Sequence, residues 1–209
     1  MKNSCIILLL LGIFLQIHAQ PITGKEKEAL TQKIIAASDK INSIQCDFKE
    51  EKKLSFLTEP AKATGIMYYK ASQKLRWEYQ SPETSYFVYN DGKVFYKNAE
   101  GSSSYNANSN KMIKALSGLI IGFINGKGLQ DNIAYKTEYF KEKEQIYIKI
   151  QPQNSEMKKV ISSIQLYLNA TTLLASKIII TEVGGDVTQY QFSNVKTNVV
   201  MDDKLFNTK

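Results

Sequence analysis

At Asn42 the hydrophobic period of this chain changes from that of a helix to that of a strand. Ahead of it, Leu30, Ile34, Ala37 and Ile41 recur at helical spacing with lysines and acids between them. Such a stripe predicts an amphipathic helix lying on an apolar surface. Thr23-Gly24-Lys25-Glu26 has the spacing of a capping box at its start. Beyond Asn42 apolar and polar residues alternate. Ile44, Cys46 and Phe48 share one face, with Gln45, Asp47 and Lys49 opposite. Ile66 and Tyr68 alternate with Met67 and Tyr69, and Leu75, Trp77 and Tyr79 lie opposite Lys74, Arg76 and Glu78. Ser85 to Tyr89 enters Asn90-Asp91-Gly92-Lys93, and Val94-Phe95-Tyr96 leaves it. Asp-Gly between two such runs is a hairpin signal.

Asn98 to Asn110, NAEGSSSYNANSN, carries no apolar period and is expected to be a loop. A second helix is expected after it. Met112, Ile113, Leu116, Leu119, Ile120, Phe123 and Ile124 form one apolar stripe, interrupted only by the helix-weakening Gly118 and Gly122. A helix so apolar must be held by what it packs against. Alternation then returns in Ile146–Ile150, Val160–Leu168, Leu174–Thr181 and, after Gly184-Gly185-Asp186, Val187–Phe192. The order is one helix, about five strands, a very apolar helix and about five more strands. Short connections make the sheet antiparallel and curved, in the α+β class.

The N-terminus reads as a secretory signal peptide, residues 1–19. Lys2 supplies a positive start, Ile6 to Ile17 is apolar, and Ala19 offers a small residue at the cleavage point. A dozen apolar residues are too few to span a bilayer. Cys5 precedes the apolar run, so it is not placed to accept a lipid. Residues 20–209 then form a single domain, long enough to bury about 70% of its unfolded surface.

Cleavage at this point narrows the chemistry. Cys5 and His18 leave with the peptide, so no histidine remains and Cys46 is the one cysteine. Histidine-based triads, His-ligated metal sites and an intramolecular disulfide are excluded by composition. Cys46 alternates with Ile44 and Phe48 and reads as a buried structural thiol. No catalytic residue, metal site or cofactor is expected. Removing Lys2 leaves 26 basic against 20 acidic residues, a balance of +6. The lysines are interspersed with glutamates, and Arg76 is the single guanidinium, so nucleic acid is not the expected partner.

KLRWEY, residues 74–79, holds that arginine beside the single tryptophan. Alternation sends Trp77 to the apolar face and Arg76 with Glu78 to the other, where a cross-strand charge pair is expected. Twelve tyrosines, seven of them from Tyr68 to Tyr105, can fill a large core or line a cavity, and composition leaves both open.

Gly65-Ile66-Met67-Tyr68-Tyr69-Lys70, Leu75-Arg76-Trp77-Glu78-Tyr79, Pro82 and Asn90-Asp91-Gly92-Lys93 together resemble the LolA-like periplasmic lipoprotein carriers of Gram-negative bacteria. Ile44-x-x-x-Phe48 and the ending Phe192-x-Asn194-Val195…Asp203-x-Leu205-Phe206 match as well. The resemblance covers most of residues 20–209. It implies an unclosed β-barrel made of one curved antiparallel sheet, with an N-terminal helix and a central helical lid. It also implies a monomeric periplasmic carrier of the acyl chains of lipoproteins or other lipids, loaded by an inner-membrane release complex and relieved by an outer-membrane acceptor. Ile44, Phe48, Leu75, Trp77 and Tyr79 would then line the cavity, and Met112, Leu116, Leu119, Ile120 and Phe123 would close it as the lid. The family often has an arginine after the lysine that ends the second strand. Here that position is Ala71, which puts the lid latch in question. Two other classes stand beside this one: an envelope sensor or scaffold of the same fold, and a carboxylate hydrolase, for which no spacing singles out a pair.

Overall fold

Each alternating run has one face that water disfavours, and a computed structural model shows how all of them are satisfied by a single sheet. It describes residues 19–71, 73–106, 122, 127–130 and 133–208. Twelve strands pair antiparallel, beginning with β1 (Gln20–Ile22), β2 (Ser43–Lys53), β3 (Ala61–Lys70), β4 (Lys74–Ser81), β5 (Ser85–Asn90), β6 (Lys93–Asn98) and β7 (Gly101–Asn106). The second half supplies β8 (Tyr135–Glu142), β9 (Gln145–Pro152), β10 (Ile161–Asn169), β11 (Ala175–Glu182) and β12 (Val187–Thr197). Their spatial order is β1-β8-β9-β10-β11-β12-β2-β3-β4-β5-β6-β7, with β1 and β7 as unjoined edges. The sheet is therefore an unclosed barrel. Its two sequential halves meet where β12 pairs with β2, Phe192 opposite Phe48.

One long helix, α1 (Gly24–Ser38), lies on the inner face. Ile34 is buried in one apolar cluster with Ile150, Ile164 and Leu166 of the β8–β11 half. Ile41, just past the helix, packs on the other cluster, with Ile44, Cys46 and Met67 of the β2–β4 half. The helical stripe is thus shared between two cores. The capping box does not form: Thr23 occupies the N-cap position but makes no side-chain capping bond. The next residue, Gly24, has φ +56°, so the chain enters the helix through a left-handed residue instead.

Asp91 and Gly92, at φ 45° and 80°, make the two-residue turn between β5 and β6. The expected loop after it is corrected in part, because Gly101–Asn106 is the edge strand β7 along the whole of β6. All six of its residues are exposed, so no burial period marked it, and its backbone pairing alone makes it a strand. The Asn98 side chain starts it by accepting from the N–H groups of Glu100 and Gly101. The helix expected over 112–124, and hence the lid, lies outside the described residues except for Gly122.

The outer face is not simply wet. On β8–β11 a ladder of directly opposed side chains runs Phe140, Tyr147, Tyr167, with the Lys177 ammonium 3.8 Å from the last ring. On β3–β6 the C-terminal segment covers it. Phe206, fully buried, packs with Val88 and Met201 in a third cluster. Ser43 Oγ donates to Val199 O and Asn90 Nδ2 to Phe206 O, which fixes the path of the segment.

Arg76 belongs to this outer assembly, and the expected cross-strand pair is corrected. Its partner is Glu78 on the same strand, at 2.8 Å, and its guanidinium lies 3.7 Å from the Tyr86 ring and donates to Leu205 O. A guanidinium can serve all three because its plane stacks while its edge donates. Nearby, Lys70 and Lys74 both reach Asp203 at 2.9 Å and hold its carboxyl down at about 2. A depressed carboxyl helps folding above its ordinary pKa and loses that help as pH falls toward its folded value. Carbon-detected NMR titration should place the Asp203 midpoint below the usual carboxylate range, and the double change K70A/K74A should return it there.

Candidate functional site

Between the two inner clusters the curved sheet leaves a cavity of about 230 Å³. One wall is β2–β5 and β12, through Ile44, Cys46, Met67, Trp77, Tyr79, Phe87, Tyr190 and Phe192. The other is β9–β11, through Ile150, Ile164, Leu166, Leu168, Ile178 and Ile180, while Ile34 and Ser38 of α1 cover one end. Among the described residues no charged side chain lines it. A volume roughly fifteen times what one buried water needs, with so few polar partners, suits apolar groups and not solvent. It persists because flat β-sheet faces bent toward each other cannot interdigitate where the bend is widest.

Trp77 is held in place by aromatic neighbours. Its ring lies 4.7 Å from Phe48, 5.1 Å from Tyr190 and 6.2 Å from Phe192. Its Nε1 is buried without a hydrogen-bond partner among the described residues. Phe48 can sit this close because its strand neighbour is Gly65: a Cβ there would meet Phe48 Cζ at 2.5 Å and collide with Glu78 O.

Of the residues expected at the cavity, Ile44, Trp77 and Tyr79 line it. Phe48 stands behind Trp77, and Leu75 is fully buried in the same cluster, so neither is among the lining residues. Met112, Leu116, Leu119, Ile120 and Phe123 lie outside the described residues, as does any contact of theirs with Trp77. The wall from β9–β11 was not anticipated. Its signal was present in the one-face alternation of Ile164, Leu166 and Leu168, but alternation alone does not say whether a face meets core or cavity. Among the described residues, two tyrosines line the cavity, Tyr79 and Tyr190. Tyr147 and Tyr167 are instead on the outer ladder.

Cys46 also lines the cavity and is 2% exposed. Burial, with Asp47 beside it, pushes its thiol up to about 12. At pH 8 about one thiol in ten thousand is then ionised, roughly a thousandfold less than for an ordinary cysteine. Iodoacetamide should leave native protein unmodified for hours at pH 8 and label it within minutes after denaturation.

The family profile described as outer membrane lipoprotein carrier protein LolA matches residues 39–209. The chain belongs to the LolA family. Among solved structures, MucB of Pseudomonas aeruginosa superposes with a TM-score of 0.53 at 14% identity, over 89% of this chain and 64% of that one. An uncharacterised conserved protein from Thermus thermophilus gives 0.51 at 11% identity, over 84% and 92%. A LolA superfamily protein from Nitrosomonas europaea gives 0.48 at 12% identity, over 85% and 97%. At these identities the first two likenesses speak to the fold alone. No curated protein matches the sequence significantly. The matching profile is named for a lipoprotein carrier. In this member the position after Lys70 is Ala71, whose N–H donates to Asn42 O, and Arg76 is turned to the outer face. Neither supplies a guanidinium to the cavity.

Proposed function

We propose that this protein is a periplasmic carrier that takes acyl chains of lipoproteins, or of related lipids, into the cavity and moves them from inner to outer membrane. The cavity supports this most: an apolar space between two cores, in a chain of the LolA family. In this reading residues 1–19 are the signal peptide and residues 20–209 the mature, monomeric carrier domain. Ile44, Trp77 and Tyr79 touch the acyl chain, Phe48 and Leu75 support them, and the apolar segment Met112–Ile124 forms the lid. An inner-membrane complex would load it and an outer-membrane acceptor would unload it.

Energetics favour exchange. Each buried methylene is worth about 0.8 kcal/mol, so two acyl chains taken from water would pass the roughly 20 kcal/mol at which affinity saturates. Moving a chain from membrane to cavity trades one apolar surface for another, so small differences set direction. Mass spectrometry of lipid that co-purifies with protein from native periplasm should find acylated peptide or lipid in about stoichiometric amount. Protein that is free of lipid when extracted without detergent would sink the reading.

A second reading, an envelope sensor or scaffold, is favoured by the fold shared with MucB, which has been solved in complex with MucA. Pull-down from periplasm separates the two, since a carrier brings varied acylated cargo and a sensor one defined protein.

A further inference from the structure

On the inner row of β2, one carboxylate stands beside this apolar wall. Glu50 follows Ile44, Cys46 and Phe48 on the inner row of β2 and pairs in register with Tyr190 of β12. No lysine among the described residues forms an ion pair with it. Instead the Tyr79 hydroxyl donates to Glu50 Oε2 at 2.7 Å, and the Tyr190 hydroxyl contacts both. Both tyrosines line the cavity. Three polar groups here share two hydroxyl hydrogens, and a carboxylate can only accept. With the Tyr79 hydrogen committed to Glu50, the Tyr79 oxygen and the carboxylate still offer lone pairs.

Burial, then the neighbouring Tyr190 and Glu50, drives the Tyr79 hydroxyl above its ordinary value, and burial with Glu50 does the same for Tyr190. The hydroxyls therefore keep their hydrogens at any physiological pH, and the cluster stays an acceptor. A short distance along the same wall lies its complement. The Trp77 ring is 5.1 Å from that of Tyr190, and its buried N–H has no hydrogen-bond partner among the described residues. A buried donor left unpaired is costly, so a ligand that supplies an acceptor there gains by it.

We propose that Glu50, Tyr79 and Tyr190 form a polar subsite that selects acyl ligands joined through an amide, the cluster accepting from the amide N–H and Trp77 Nε1 donating to its carbonyl. This rests on the carrier reading of the cavity and adds what the cavity discriminates. An ester supplies the carbonyl but no donor. A fatty-acid carboxylate supplies no donor and brings a second negative charge toward Glu50 in a poorly solvated site.

The test titrates hexadecanamide, methyl hexadecanoate and hexadecanoate at pH 8 into the mature protein and follows quenching of Trp77, the single indole. The amide should bind about tenfold more tightly than the ester, the size of one hydrogen bond to a charged group, and the acid weakest. Glu50→Gln, nearly isosteric, should bring the three within about threefold of one another while circular dichroism stays unchanged. Tyr79→Phe, which removes only the orienting hydroxyl, should narrow the amide preference in the same direction. If the wild type binds all three equally, or Glu50→Gln keeps the original order, the subsite is overturned and the cavity reading survives. If none of the three binds, both fall.

Discussion

Phe206→Ala is expected to destabilise the protein by about 3–5 kcal/mol, the range for truncating a fully buried phenylalanine. Phe206 is 0% exposed although only three residues of the sequence follow it. It fills the space between Val88 and Met201 on the outer face of β5, and its carbonyl accepts from Asn90 Nδ2. Removing the ring leaves a cavity there and loosens the segment that Arg76 and Ser43 also hold. Urea denaturation should show the midpoint fall with little change in slope. A loss below about 1 kcal/mol would mean the segment is dispensable and that Arg76 has no structural partner worth keeping.

Gly65→Ala should cost nearly as much, about 3 kcal/mol, for the opposite reason. It adds one methyl where none fits, against Phe48 and the Glu78 carbonyl. Overpacking of this kind is costly when the obstacle is backbone, which cannot rotate away. The same shift presses Phe48 on Trp77, 4.7 Å away, so Trp77 emission should change even in folded protein. Phe48→Leu in the same chain should recover part of the stability but not all of it, since the carbonyl remains. Full additivity of the two changes would show that they do not meet.

The sequence is legible where one face of a strand is buried and the other is not. β2 and β4 announce both faces, and the indole and guanidinium of residues 74–79 go to opposite sides as alternation requires. Legibility fails where burial does not follow local pattern. β7 is exposed on both faces, so GSSSYN gave nothing to read. β1 is three residues long. In β8 the buried positions include Thr137, a polar residue that hides the period completed by Tyr139. The capping box matched in spacing, but the left-handed Gly24 redirected the chain. For the site, half was visible as the apolar face bearing Trp77. The other wall depends on how the sheet bends, a property of all twelve strands together. Glu50 was unreadable for the same reason, because its partners come from β4 and β12.

In the proposed carrier, acyl chains enter the space between the two inner clusters. A sixteen-carbon acyl ligand carrying a photoreactive diazirine near its methyl end, irradiated with the mature protein and mapped by peptide sequencing, tests it most directly. Adducts are expected on inner-face residues of both walls, such as Trp77 and Phe192 on one side and Leu166 and Ile178 on the other, competed by unlabelled ligand. Adducts confined to the outer face, at Tyr86, Phe95 or the Tyr147–Tyr167 ladder, would contradict it.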